Sequence, residues 1–356
     1  MSELCFDKPP ASLCILRLSA IGDVTHLLPI IATLQQQWPQ TRITWIIGRL
    51  EHQLVKDLPD IEYIVFDKRN GLSEYRKLNR TLGKRKFDVL LMMQVALRAN
   101  LISLITRATY KIGYDAARAR DFHKLFCQQA IEGPDRVHVL DSFFQFLEKL
   151  GIRQRKMDWL IKADDTASAF AQEIINNQNT VIINPCSSAR ANNFRNWSES
   201  NYAHVVDYLM NKGINVVLTG GPDSMEIEFS QRIVELCQQS PVNVVGKTSL
   251  MQLLALLEQA QCLIAPDTGP AHMGTAAGIP VIGLYASSNP LRTGPYNSQH
   301  YLVNAYPAAL QKYNHKSIDQ ARWGERVRNP EVMQMISEQA VIKALEEIPG
   351  LVNPAQ

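Results

Sequence analysis

Short apolar segments alternate with helix-like segments along most of the chain, and this alternation limits the possible folds most strongly. The strand-like runs are residues 13–18, 43–47, 62–66 and 88–93 in the first half, and 180–185, 214–220, 242–246, 261–266 and 279–285 in the second. Each run is mainly apolar, a pattern typical of parallel strands covered by helices on both faces. The sequence therefore predicts an α/β protein with doubly wound, Rossmann-like sheets.

A break in this alternation indicates two domains. Residues 152–178 are polar and contain no strong strand signal. We predict a first domain over 1–160 and a second over 178–330, while the amphipathic segment 331–348 predicts a helix that packs back onto the first domain. Two such domains would face each other across a cleft at the carboxyl ends of their strands, where these sheets bind ligands.

Charge and cysteine content narrow the class of protein. A net charge of +3 over 356 residues gives no argument for nucleic-acid binding. Basic residues nevertheless cluster at 76–86 and again at 98–124, which fits either a solvated surface or attraction to an anionic partner. The six cysteines show no metal-binding spacing, and the chain shows neither a signal-peptide pattern nor an apolar run long enough to span a bilayer. We therefore predict a cytoplasmic location.

The most informative segment is 265–290, APDTGPAHMGTAAGIPVIGLYASSNP. A strand ends at Pro266, a turn follows at Asp267, Thr268 and Gly269, and Pro270 suits the start of a helix. The N–H groups at the start of such a helix suit a phosphate, although any strand–turn–helix unit offers them. Asp267, Thr268 and His272 add a carboxylate, a hydroxyl and an imidazole to this segment. We therefore interpret the turn as a phosphate site.

Two further loops follow strands of the second half. NPCSSARANNFRNWS, residues 184–198, offers the hydroxyls of Ser187 and Ser188 and the guanidinium of Arg195, whose planar fork suits a diphosphate. LTGGPDSMEIE, residues 218–228, places Asp223 where it could accept hydrogen bonds from a ribose or cap the following helix. The chain contains neither the GxGxxG nor the GxxxxGK[ST] motif.

The first half carries one isolated carboxylate in a comparable turn. In LSAIGDVTHLLPI, residues 18–30, Asp23 follows Gly22 between the first strand and the first helix. Asp23 could cap this helix or face a substrate. His26 lies one turn further on, where it could line a binding site or serve as a buried structural histidine.

Together these segments resemble the ADP-heptose:lipopolysaccharide heptosyltransferases, inverting enzymes with the GT-B fold. The resemblance covers roughly residues 13–295 and rests on LRLSAIGDVTHLLP, NPCSSARANNFRNWS, GGPDS, GKTSLMQLLALL and DTGPAHMGTAAGIPVIGLY. It implies a glycosyltransferase that moves a heptose from ADP-heptose to an acidic, lipid-linked inner-core acceptor. It also implies peripheral contact with the inner face of the membrane, where the basic stretches would suit the acceptor and the lipid surface.

The resemblance assigns roles by position. Asp23 matches the general base, with Gly22 and His26 on the acceptor side, and Arg195 stands where the family commonly has a lysine that meets the donor phosphates. The other donor-binding positions are Ser187, Ser188, Asp223, Thr248 in the adenosine-lining segment, and Asp267, Thr268, Gly269 and His272 of the D-[ST]-G-x-x-H signature.

The residue types fit this chemistry. One carboxylate can deprotonate an acceptor hydroxyl, while helix N–H groups and an arginine stabilise the departing diphosphate. No DxD-like pair suggests a metal site, so we predict turnover without a metal or other cofactor. Three alternatives remain: a related enzyme with another nucleotide sugar or acceptor, a binding protein without turnover, and a sugar-nucleotide epimerase.

Overall fold

The computed structural model describes residues 6, 8–120, 122–187 and 192–352. These residues form two compact units, Met1–Ile161 and Lys162–Gln356. Each unit contains a six-stranded parallel sheet with helices between its strands. The predicted α/β class and the two doubly wound sheets are therefore confirmed.

The first unit is built on the strand order β3-β2-β1-β4-β5-β6. Its strands are β1 Ser12–Leu16, β2 Arg42–Gly48, β3 Ile61–Phe66, β4 Lys86–Met92, β5 Arg107–Gly113 and β6 Gln129–Ala130. Its helices are α1 Ile21–Gln37, α2 Arg49–Val55, α3 Gly71–Leu82, α4 Leu97–Ile105 and α5 Val139–Lys149, with short 3₁₀ turns at Lys68–Asn70 and His123–Leu125.

The strands of this sheet are apolar on both faces because helices cover both. On one face, Leu78 and Leu82 of α3 and Ala99 and Ile102 of α4 join the same buried cluster. On the other face, α1 packs against α5. The central strand β1 pairs with β2 and β4, so the turn that carries Asp23 leaves the middle of the sheet at its carboxyl edge.

The second unit repeats this plan with the strand order β12-β11-β10-β7-β8-β9. Its strands are β7 Thr180–Ile183, β8 Asn215–Leu218, β9 Val242–Asn243, β10 Cys262–Pro266, β11 Val281–Tyr285 and β12 Val303–Asn304. Its helices are α6 Asp165–Ile175, α7 Glu199–Asn211, α8 Ser224–Leu236, α9 Leu250–Gln259, α10 Gly269–Ala276, α11 Pro290–Thr293, α12 Tyr306–Ala309 and α13 Glu338–Glu346. A π turn spans Leu310–Asn314 and 3₁₀ turns span Tyr296–Tyr301 and Val332–Met335.

The C-terminal segment corrects one expectation from the sequence. It forms the 3₁₀ turn and then α13, with Ser337 capping α13 by accepting the Ala340 N–H at 3.3 Å. Val341 and Leu345 are buried in the core of the second unit, and α13 contacts α7, β11 and β12. The helix therefore completes the second unit, whereas the sequence predicted that it packs on the first.

The segment between the two predicted domains also contributes to the second unit. Residues 165–175, which carry no strand signal, form α6, and α6 packs against α9. Asp164 caps α6 by accepting the Ala167 N–H at 2.7 Å. The second unit therefore begins at Lys162 and extends to the C-terminal helix, a wider span than the predicted 178–330.

Candidate active site

The turn between β10 and α10 is shaped by small residues and by proline. Thr268 is the N-cap residue in an extended conformation, and Pro270 lies in the first turn of α10, where its missing N–H costs no hydrogen bond. A Cβ atom added to Gly274 would lie 2.7 Å from a methyl carbon of Val281. Glycine at this position thus lets α10 lie close against the sheet and directs its first N–H groups to the carboxyl edge.

Asp267 and Arg195 meet at this turn. Arg195 Nη1 donates to the main-chain oxygen of Asp267 at 2.7 Å and lies 3.4 Å from its carboxylate Oδ2. The Asp267 carboxylate is buried, whereas the Arg195 side chain is 18% exposed. Arg195 is therefore fixed beside the start of α10 with part of its guanidinium open to a ligand.

Two asparagines that the sequence did not single out hold the loop before α7. Asn193 Oδ1 accepts from the Ser187 hydroxyl at 2.8 Å and from the main-chain N–H of Arg195 at 3.2 Å. Asn196 Oδ1 accepts from the Ser187 N–H at 3.0 Å. These bonds bring Ser187 and Arg195 together, while Ser188 lies outside the described residues.

Arg292 and Arg326, which the sequence analysis did not single out, lie near Asp267 and add positive charge beside Arg195. Arg326 Nη2 lies 3.9 Å from Asp267 Oδ2, the same oxygen that faces Arg195. Asp267, Asn289, Arg292 and Arg326 line one small pocket. Partial burial of its guanidinium, followed by the charge of Arg195, lowers the pKa of Arg326 from its ordinary value. Among the charges that affect this pKa, Arg195, Arg292 and Arg328 lower it and Asp267 raises it, so positive charges outnumber negative ones around the group.

The segment that carries Arg326 is tied to the end of β11. Ser287 Oγ donates to the Val327 carbonyl at 2.9 Å, and the Val327 N–H donates to Ser287 O at 2.9 Å. Tyr306 donates its hydroxyl to the Glu325 carbonyl at 2.8 Å. The sequence interpreted residues 305–330 as irregular structure, and these bonds show how an irregular segment can present Arg326 at a defined place.

The segment after β8 carries two carboxylates, Asp223 and Glu226, near the start of α8. Asp223 is exposed and caps α8 by accepting the Met225 N–H at 3.0 Å. Glu226 Oε2 accepts the Gly221 N–H at 2.7 Å, and burial raises the pKa of Glu226. Asp223 thus has the capping role that the sequence left open, and capping leaves its second oxygen able to accept a ligand hydroxyl.

The remaining donor-side residues lie on the same edge of the sheet. Thr248 is half-buried just before Ser249, which caps α9 by accepting the Gln252 N–H at 3.2 Å. His272 is buried in α10. Because β10, β7, β8 and β9 are successive neighbours, the loops that follow them meet along one carboxyl edge.

Asp23 lies in the first turn of α1 in the first unit. Its Oδ2 accepts the Ala20 N–H at 3.3 Å and forms an ion pair with Arg17. The Asp23 side chain is 30% exposed. Asp23 therefore stabilises the helix start while keeping a carboxylate at the surface, so capping and catalysis can coexist.

Arg17, which the sequence did not single out, is firmly held. It donates from Nε to the Ser19 carbonyl at 2.8 Å, donates from Nη1 to the Met93 carbonyl, and lies over the ring of Phe143 at 5.4 Å. Two carbonyl groups and one aromatic ring thus hold Arg17 in place, and its ion pair orients the Asp23 carboxylate.

The predicted acceptor-side residues adjoin Asp23. Gly22 and His26 are buried in α1, and the His26 ring meets the His138 ring edge-on with centroids 5.1 Å apart. His26 therefore packs inside the first unit, as the structural interpretation predicts. Within the described parts of the chain, no three His, Cys, Asp or Glu residues form a group suited to a metal ion.

Sequence comparisons relate this chain to known enzymes. Residues 75–320 match glycosyltransferase family 9 (heptosyltransferase). The chain is 37% identical over 344 residues to the lipopolysaccharide core heptosyltransferase OpsX of Haemophilus influenzae, covering 96% of this chain and 98% of OpsX. These similarities confirm the family resemblance that the sequence motifs indicated.

Solved structures support the same fold. A family 9 glycosyl transferase from Veillonella parvula has a TM-score of 0.76 and 25% identity, covering 95% of this chain and 97% of its own. The heptosyltransferase WaaC of E. coli, solved with ADP, has a TM-score of 0.71 and 20% identity, covering 94% and 99%. These similarities agree with the two-domain α/β fold that the sequence predicted.

Proposed function

Because this chain belongs to glycosyltransferase family 9, we propose that it transfers a heptose from ADP-heptose to an acidic lipopolysaccharide inner-core acceptor, with inversion at the anomeric carbon. The observation that carries this proposal is the pairing of Arg195 with Asp267 at the start of α10. The relative OpsX is a lipopolysaccharide core heptosyltransferase, and the WaaC structure contains ADP.

The second unit supplies the donor side in this proposal. As the bond to the sugar breaks, negative charge develops on the diphosphate. Arg195 and the N–H groups at the start of α10 stabilise that charge without needing to reorganise. Ser187 approaches the same phosphates, whereas Asp223 and Thr248 face the nucleoside and Asp267 and His272 face the transferred sugar.

The first unit supplies the acceptor side. Asp23 removes the proton from the acceptor hydroxyl as it attacks the anomeric carbon, with Gly22 and His26 beside it. Arg17 keeps the Asp23 carboxylate in one orientation through the ion pair and its own hydrogen bonds. The acceptor is lipid-linked in this proposal, which places the enzyme in the cytoplasm at the inner face of the membrane.

A panel of nucleotide sugars tests this proposal. We expect ADP-heptose to bind and to be consumed in preference to UDP- and GDP-linked sugars, and turnover to persist in EDTA because protein cations and N–H groups stabilise the leaving diphosphate. Binding is measured by calorimetry and turnover by release of the nucleoside diphosphate. Preference for another nucleotide would reassign the donor, binding without turnover would indicate a binding protein, and full loss of activity in EDTA would contradict metal independence.

Arg326 and Arg292 extend the diphosphate site in this proposal. The Arg326→Gln variant removes one charge at the pocket edge, so we expect ADP to bind about tenfold more weakly, in the range of a lost charged hydrogen bond, while adenosine binding stays unchanged. Titration with ADP and adenosine measures both effects.

Arg322→Gln is a matched control because Arg322 is an exposed arginine of the same segment. It should bind ADP as the unaltered protein does. Equal losses of ADP affinity in both variants would instead assign the effect to general surface charge.

A further inference from the structure

Helix α4 exposes a leucine stripe to solvent. Leu97, Leu101 and Leu104 are 54%, 40% and 61% exposed, although Ala99 and Ile102 on the inner side of the same helix are fully buried. Spacings of four and three residues place the leucines on one face of the helix. The outer face of α4 therefore presents three exposed leucines beside the exposed Arg98.

A second apolar group adjoins this stripe. Phe122 and Leu125 are 79% and 80% exposed at the ends of the 3₁₀ turn. Between them, His123 is buried and bonds to Asn100 of α4 through Nδ1 at 2.8 Å. This contact holds the turn against α4, so both exposed apolar groups belong to the same part of the first unit.

Helix α3 adds both apolar and basic groups on the same side of the sheet. Leu72 is 75% exposed, and Arg76 and Arg80 follow at intervals of four residues on the same helix face, both exposed. Helices α3 and α4 insert their inner residues into one buried cluster, so both cover the same face of the first sheet.

Exposed positive charges lie on the same helices as the leucines and on the segments that follow these helices. Of the basic residues at 76–86, Arg85 pairs with Glu62 at 2.6 Å and Lys77 with Glu74 at 3.2 Å. The exposed cations of the two stretches include Arg76, Arg80, Lys84, Arg98, Arg107, Arg120 and Lys124. The sequence identified both basic stretches, and the structure adds exposed leucines on the helices that carry them.

We propose that this surface docks on an anionic lipid bilayer through an apolar face, defined as Leu72, Leu97, Leu101, Leu104, Phe122 and Leu125, with the surrounding arginines and lysines contacting lipid phosphates. A helix with exposed leucines and flanking cations is the composition of elements that lie in the membrane interface. No helix in the described part of the chain is long and apolar enough to cross a membrane. Docking would bring the enzyme to a lipid-linked acceptor, and only this role of the surface rests on the proposed function.

Co-sedimentation with phosphatidylethanolamine vesicles, with and without phosphatidylglycerol, tests the docking. We expect binding to the phosphatidylglycerol vesicles that weakens at high salt. Combined replacement of Leu101, Leu104 and Leu125 by Ser should weaken it at least about tenfold, since three apolar side chains no longer enter the interface. Replacement of Arg76 and Arg80 by Ser should weaken it about 25-fold at low salt, from about fivefold per charge.

A double variant, Leu236→Ser with Leu291→Ser, is the matched control because both leucines are exposed in the second unit. It should bind vesicles as the unaltered protein does. Absence of vesicle binding, or equal binding by the three-leucine variant, would overturn the proposal. Self-association that the three-leucine variant abolishes, without vesicle binding, would instead make the apolar face a contact between copies. ADP titration of each variant tests the donor site separately, so failure of docking and failure of the proposed function remain distinguishable.

Discussion

Replacement of Asp23 by Asn is expected to lower the rate of sugar transfer by about 10²–10⁴-fold, the usual contribution of a positioned general base. Asn retains a side-chain oxygen that can accept the Ala20 N–H, so the start of α1 is preserved. Arg17 keeps its bonds to the Ser19 and Met93 carbonyls and its contact with Phe143. The proton acceptor and the charge that pairs with Arg17 are removed, and ADP binding should stay unchanged.

The measurement combines single-turnover transfer from ADP-heptose with calorimetric titration of ADP. Asp57→Asn removes an exposed carboxylate of the same unit and serves as the control, with unchanged transfer. Arg17 keeps its bonds to the Ser19 and Met93 carbonyls when the ion pair is lost, so the variant should remain folded. A folded Asp23→Asn protein with normal transfer would show that Asp23 only caps its helix.

The sequence predicted the central strands well because they are buried on both faces. Each of β1, β2, β4, β7 and β10 overlaps a mainly apolar run and is buried along most of its length, so few of its residues are polar. Strand β5 was missed because it departs from that pattern. Its Arg107, Tyr110 and Lys111 are not buried, so the segment was interpreted only as part of a basic stretch.

The position of the C-terminal helix could not be derived from its own pattern. Amphipathicity shows that one side of α13 must be buried, but it does not identify the partner. Val341 and Leu345 would suit any apolar surface, and the choice of α7, β11 and β12 depends on how the intervening irregular segment runs. Long-range packing of this kind leaves no local signal.

The candidate site shows the same limit. Asp23, Asp267 and Thr268 were recognisable because each follows a strand end in a turn of characteristic composition. Arg326 lies 59 positions after Asp267 in the sequence and reaches it because its segment is bonded to Ser287 and Tyr306. Residues that are distant along the chain but close in space, such as Asp267 and Arg326, can be paired only from the folded structure.

Replacement of Arg195 by Met should reduce transfer by about 10²–10³-fold, the range for loss of one group that stabilises charge in the transition state. Met retains an unbranched side chain of moderate length but cannot donate to the Asp267 carbonyl or face the diphosphate. Arg195→Lys keeps the charge and should retain more activity than Arg195→Met. The rate constant for transfer measures the contribution of Arg195 to catalysis, and the affinity for ADP measures its contribution to binding.

The control for Arg195→Met is Arg232→Met, since Arg232 is a half-exposed arginine of the same unit that pairs with Glu199 at 2.9 Å. It should transfer sugar normally. If Arg195→Met were folded and fully active, the diphosphate would have to be stabilised elsewhere, and Arg326 and Arg292 would be the next candidates. If Arg195→Lys lost as much activity as Arg195→Met, positive charge alone would be insufficient. The planar fork, which also holds Asp267, would then be the feature that catalysis requires.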